Sequence, residues 1–138
     1  MSLPKLNRSW LLACALPLFL SACGSKDAGG GDATRGRELY TKECAACHSL
    51  SASTENAPMH CGLFGRKAGT VAGFPYSEAM RSSGWVWNEK TLDEFLSAPY
   101  LTLPGTIMGF PGFSQEADRA DVIAYLKEVS KDPSQCGK

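Results

Sequence analysis

No segment of the chain alternates apolar and polar side chains as a half-buried strand would; where the apolar positions have a period, it is helical. Asp32 can cap a first helix running to about Cys47, with Leu39 and Tyr40 turned inward. From Ser49 to Pro75 the period disappears and loop signals replace it, among them Ala57-Pro58 and the glycines Gly62, Gly65, Gly69 and Gly73. Ser77 to Ser83 reads as a short helix stopped by Gly84. Asn88 caps a clearer one, Glu89 to Ser97, in which Leu92, Phe95 and Leu96 share a face before Pro99 ends it. Ser114 is placed to cap the last helix, with Glu116 and Asp118 in its positive first turn and Val122, Tyr125, Leu126 and Val129 along one stripe. The expected fold class is all-α, with about four helices and long loops.

The N-terminal stretch belongs to a different pattern. Lys5 and Arg8 precede the apolar run Trp10 to Leu20, which is too short to span a bilayer and reads as an export signal over residues 1–22. It ends in Leu20-Ser21-Ala22-Cys23, which resembles the lipobox of bacterial lipoproteins, so Cys23 is expected to carry lipid. Several acyl chains hold a membrane far more firmly than the marginal grip of one. Residues 23–31 then form the lipidated Cys and a polar, glycine-rich tether, whose last eight residues span roughly 16 Å when relaxed. Residues 32–138 are expected to form the folded domain, held on the periplasmic side of a bacterial membrane.

Composition narrows the classes. A domain of about this size buries only a modest core, and a large apolar cofactor would enlarge it. Without Lys5 and Arg8 the 14 basic side chains fall to 12 against 14 acidic ones, and no basic patch interleaved with aromatics suggests a nucleic-acid partner.

The chemistry concentrates in Cys44-Ala45-Ala46-Cys47-His48, the C-x-x-C-H sequence by which a c-type haem is attached. Two thiols three residues apart on a helix face lie one turn apart and can add to the two vinyl groups of one porphyrin, with His48 placed to bind iron. C-x-x-C also marks dithiol redox sites and half of many zinc sites. Zinc would need about four ligands, whereas His60, Cys61 and Cys136 are scattered. A thioredoxin-like site would need a βαβ setting. Export to an oxidising compartment leaves Cys61 and Cys136 as a candidate disulfide, closing a loop of about 75 residues with a stabilisation of roughly 4 kcal/mol at most.

The second iron ligand decides between electron transfer and open-site chemistry. Its candidates are His60, Met59, Met80 and Met108. Met59 and Met80 read as core filler. Met108 stands in the apolar loop Leu103 to Gly112, where prolines stiffen the backbone and glycines allow close approach to a ring.

Gly36, Tyr40, Cys44-x-x-Cys47-His48, Pro58, Gly62-Leu63-Phe64-Gly65-Arg66-Lys67, Gly73-Phe74-x-Tyr76, Trp87, Pro104-Gly105-Thr106-x-Met108 and Ala120-Asp121-x-Ile123-Ala124-Tyr125-Leu126 together resemble a class I cytochrome c of the mitochondrial and alphaproteobacterial kind. The resemblance runs from about Gly31 to Lys131. It implies the class I fold wrapped around one covalent haem c, with Met108 as distal ligand and the Pro58 carbonyl accepting the proximal imidazole N–H. It further implies that Arg66, Tyr76, Trp87 and Thr106 surround a buried haem propionate, and that Gly36 and Tyr125 mark a close crossing of the first and last helices.

Some positions depart from that family. Phe95 replaces a frequent Tyr and Met80 a frequent Asn, so the reduction potential is expected to differ. Tyr100, Ile107 and Gly109 occupy stretches where mitochondrial carriers bear lysines, which favours a small apolar contact around the haem edge and Phe110 over charge-steered docking.

The implied function is non-enzymatic: a membrane-tethered, monomeric, monohaem electron carrier between a quinol-oxidising complex and a terminal oxidase. Two alternatives remain at this point: a haem c subunit fixed in a larger dehydrogenase or oxidase, and a haem sensor or peroxidase with an open distal site or with His60 as distal ligand.

Overall fold

The computed structural model describes residues 30–131. The export signal, Cys23, most of the tether and Cys136 lie outside the described residues. Five helices follow in order: α1 Ala33–Glu43, α2 Glu78–Ser82, α3 Glu89–Ser97, α4 Pro99–Thr102 and α5 Glu116–Val129. Among the described residues there is no strand, only an isolated antiparallel bridge between Lys67 and Val86. None of these helices is long and apolar enough to cross a membrane.

Asp32 and Asn88 cap their helices as expected, and Ser77, read as the first residue of a short helix, is its cap. The Asp32 carboxylate accepts from the N–H groups of Thr34 and Arg35, at 2.8 and 3.2 Å. Ser77 accepts from Met80 N–H, and Asn88 forms a reciprocal capping box with Thr91. The last helix starts differently. Gln115 rather than Ser114 occupies its N-cap without a side-chain hydrogen bond, and Glu116 and Asp118 supply negative charge to the first turn instead.

Two boundaries differ from expectation. Helix α1 stops at Glu43, where Cys44 N–H and Ala45 N–H both reach the Tyr40 carbonyl, at 2.9 and 3.0 Å. Both thiols therefore stand on the turns that follow α1. The other difference lies at Pro99, which ends α3 as expected but also opens α4, because its fixed φ suits the first position of a helix.

Helices α1 and α5 cross closely. A Cβ on Gly36 would fall 1.9 Å from the Asp121 carbonyl oxygen, so only glycine fits there. Gly31, which sequence assigns to the tether, packs in the same way against Ala120, and the folded part begins no later than this residue. Asp121, 7% exposed, fastens the crossing. Its carboxylate accepts from Asp32 N–H at 2.6 Å and pairs with Arg35, which also reaches Asp118.

Helix α5 consequently buries two faces. Asp121 and Tyr125 lie toward α1, where the Tyr125 and Tyr40 rings are 5.3 Å apart, while Val122, Ile123 and Leu126 join the core with Leu92, Phe95 and Leu96 of α3. The single expected stripe of Val122, Tyr125, Leu126 and Val129 is for that reason incomplete: Ile123 is buried, and Tyr125 and Val129 are half-buried.

Gly36→Ala is expected to destabilise the haem-loaded protein by about 1–3 kcal/mol, since backbone on both sides of the crossing has to separate. Denaturant unfolding measures this, and an unchanged midpoint contradicts the close crossing.

Candidate haem site

The turn after α1 presents both thiols and leads directly into His48. Cys47 N–H and His48 N–H both donate to the Cys44 carbonyl, at 3.1 and 2.9 Å. The His48 Nδ1–H donates to the Pro58 carbonyl at 2.9 Å, which fixes the tautomer and leaves Nε2 with a free lone pair. Burial lowers the pKa of His48, which favours the neutral ring, and the Pro58 bond offsets this only in part.

Thr54, which the sequence reading passed over, holds this geometry together. Its hydroxyl donates to the Cys47 carbonyl at 2.9 Å and accepts from Ala57 N–H at 3.0 Å, tying the Pro58 loop to the cysteine turn. The only available signal was a Thr three residues before Ala57-Pro58, compatible with a side-chain-to-backbone turn.

Every residue singled out for the cofactor lines one cavity of about 240 Å³: Cys44, Cys47, His48, Pro58, Arg66, Tyr76, Trp87, Thr106 and Met108. Met80, Leu92, Phe95, Leu96, Val122 and Leu126 supply much of its apolar wall. Trp87 and Phe95 pack ring to ring, 5.4 Å between centroids, and Thr106 Oγ1 accepts from Met108 N–H at 3.3 Å at the base of the Met108 loop. Met80 is buried core, as expected, and also faces the cavity.

Arg66 points its fork at backbone. It donates to the Cys61 carbonyl at 2.6 Å and the Met59 carbonyl at 2.9 Å, clamping the loop between them. Burial lowers its pKa without removing its charge, leaving a cation at the cavity wall. Tyr76 is partly buried there too, which raises its phenol pKa, with the Val71 backbone and Arg66 acting in the opposite sense.

His60 is placed where sequence gave no hint. Its ring stacks on His48 with centroids 4.2 Å apart and planes 18° apart, which puts it beside His48 and not across the cavity from it.

The other chemistries of C-x-x-C find little support. Burial pushes the Cys44 thiol up to about 12, with the charges of Glu43 and Cys47 acting the same way, whereas a dithiol redox site needs a lowered thiol pKa. Among the described residues no three His, Cys, Asp or Glu side chains gather as metal ligands. Two adjacent thiols, a neutral imidazole with a free nitrogen and a thioether around one apolar cavity do fit a covalently attached haem.

This fold and this site define a class I c-type haem protein. A cytochrome c family model matches residues 33–130. Cytochrome c of Tetrahymena pyriformis is 48% identical over 99 residues, covering 72% of this chain and 90% of its own. Cytochrome c2 of Blastochloris viridis is 38% identical over 120 residues, covering 86% and 94%. The structure of cytochrome cH from Methylobacterium extorquens superposes with a TM-score of 0.67 at 37% identity, over 71% of this chain and 99% of that one. The chain belongs to the cytochrome c family and carries one covalently attached haem c.

Arg66→Leu is expected to destabilise the haem-loaded protein by about 2 kcal/mol through loss of two charge-assisted bonds, and Arg66→Lys to recover less than half of it because an ammonium cannot fork to both carbonyls. Denaturant unfolding of the three proteins decides it. Full recovery by lysine would show that charge alone matters there.

Proposed function

We propose that this protein is a membrane-tethered, monomeric electron carrier that takes single electrons from a quinol-oxidising complex and delivers them to a terminal oxidase. When bound, the haem supplies one-electron cycling between ferric and ferrous iron. The chain's own residues would hold it: Cys44 and Cys47 by thioether bonds, His48 through Nε2 and Met108 through its sulfur, in both oxidation states. Pro58 orients His48, and Arg66, Tyr76, Trp87 and Thr106 surround a buried propionate.

One observation carries this reading over an open, reactive site. From Phe95 to Gln115 the chain has no charged side chain and no histidine, so the loop around Met108 offers no acid or base for peroxide chemistry. His60 does not fill that role, because it lies against His48.

The same uncharged stretch forms the proposed docking surface. Tyr100, Leu101 and Ile107 are 53, 81 and 63% exposed, and Ile107, Gly109 and Phe110 line the cavity itself. Partners therefore meet an apolar rim around the haem edge, and tethering replaces long-range charge attraction. The tether reading rests on residues 1–22 as export signal and Cys23 as lipid acceptor, which place the folded domain on the periplasmic side of a bacterial membrane. The free thiols among the described residues are Cys44 and Cys47, which leaves Cys61 available for the proposed disulfide. Cys136 is the partner we assign to Cys61.

The optical spectrum of the oxidised protein tests the ligand set. It is expected to show the weak near-infrared band of iron bound to thioether sulfur, and Met108→Ala is expected to abolish it and to let the reduced protein bind carbon monoxide. A wild-type protein without the band that binds carbon monoxide contradicts the carrier reading. Phe95→Tyr, which adds a hydroxyl to the cavity wall, is expected to change the reduction potential, and an unaltered potential contradicts this account of the pocket.

Electron transfer to the acceptor complex is expected to vary little with ionic strength; a steep fall with added salt contradicts the apolar docking surface. Isolation in a detergent-stable complex with a dehydrogenase or oxidase would make the chain a fixed subunit instead.

A further inference from the structure

The proposed proximal ligand has a second aromatic ring against it, that of His60. His60 lies nearly parallel to His48, and its Nδ1 is 3.1 Å from the Tyr40 hydroxyl. The Tyr40 ring meets it edge-on, with centroids 5.6 Å apart at 67°.

The backbone leaves His60 little freedom to leave this position. His60 N–H donates to the Ser49 carbonyl at 3.1 Å and Cys61 N–H to the Leu50 carbonyl at 2.8 Å, pinning the loop to the segment just after His48. Arg66 binds the carbonyls on either side of His60. Backbone bonds and the Arg66 guanidinium thus pin the main chain around His60, and the Tyr40 hydroxyl reaches its imidazole, a ring that no step of electron transfer requires.

An imidazole that binds a metal through Nε2 keeps one soft motion, rotation about that bond. The Pro58 hydrogen bond restrains His48 along one edge, and a parallel ring restrains its face. We propose that His60, held by Tyr40, is a positioning residue that sets the plane of the His48 ring and raises the polarity of the proximal side, stabilising the ferric form.

Ferric iron carries one more positive charge than ferrous, so replacing a neighbouring polar ring by an aliphatic side chain disfavours the ferric form and raises the reduction potential. The ring-plane argument has a separate readout. The orientation of an axial imidazole sets the splitting of the iron d orbitals, and hence the g-values of the low-spin ferric protein.

The inference rests on His48 being the proximal ligand, so the wild-type protein is measured first. A wild type without the near-infrared thioether band and a low-spin ferric signal overturns the ligand reading and this inference with it. With both present, His60→Leu is expected to change the g-values and raise the potential. His60→Phe, which restores a flat ring but not the polarity, is expected to return the g-values toward wild type while the potential stays raised. Tyr40→Phe, which removes only the hydroxyl, is expected to shift both in the His60→Leu direction by a smaller amount.

Wild-type g-values and potential in His60→Leu overturn the inference while leaving the ligand reading intact. So do g-values in His60→Phe no closer to wild type than those of His60→Leu. If neither His60 variant accumulates as haem-loaded protein, Tyr40→Phe decides alone, and wild-type values in it overturn the proposal.

Discussion

The interior of this domain is completed by something other than protein. Leu92, Phe95 and Leu96 of α3 and Val122 and Leu126 of α5 are buried, yet they face a cavity of about 240 Å³. Without an occupant these apolar side chains lack a packing partner on that side and face water, a loss that weighs heavily against the modest stability of a small domain. Filling it is therefore part of folding, and the haem is as much a core residue as a reactant. The arrangement around it follows: α1 and α5 lock together at Gly36 and Asp121, which closes the frame, and long loops reach inward to line the cavity.

The two sides of the site are built from different materials. The proximal side is dense with hydrogen bonds: His48 to Pro58, Thr54 to Cys47, Arg66 to the loop around His60, and Tyr40 beside His60. Such a network fixes one tautomer and one geometry for the imidazole. The Met108 side is an uncharged loop whose polar anchor is Thr106 and whose outer residues are exposed and apolar. A rigid polar half suits holding a ligand through many redox cycles. An uncharged, apolar half suits the proposed thioether ligand and the proposed docking surface.

What could be read from the sequence was whatever depends on neighbours along the chain. Cys44, Cys47 and His48 must lie close along the chain to meet one porphyrin, and Asp32 and Asn88 cap helices that begin at the next residue. The loop Pro104 to Met108 was legible through its resemblance to a known family. Features created by tertiary approach were not. Asp121 looks like a surface acid on α5 until Asp32 N–H and Arg35 close on it, and His60 looks like a spare loop histidine until the loop folds back on His48. Pro99 could be read as a stop but not as a start, because its ring permits both and only the packing that follows decides.

The haem supplies the missing part of the core. The most direct measurement is thermal unfolding of the chain produced without haem, compared with the haem-loaded protein under the same conditions. A cooperative transition in the loaded protein and none in the haem-free chain is the predicted result. A sharp transition of similar midpoint in the haem-free chain would contradict it.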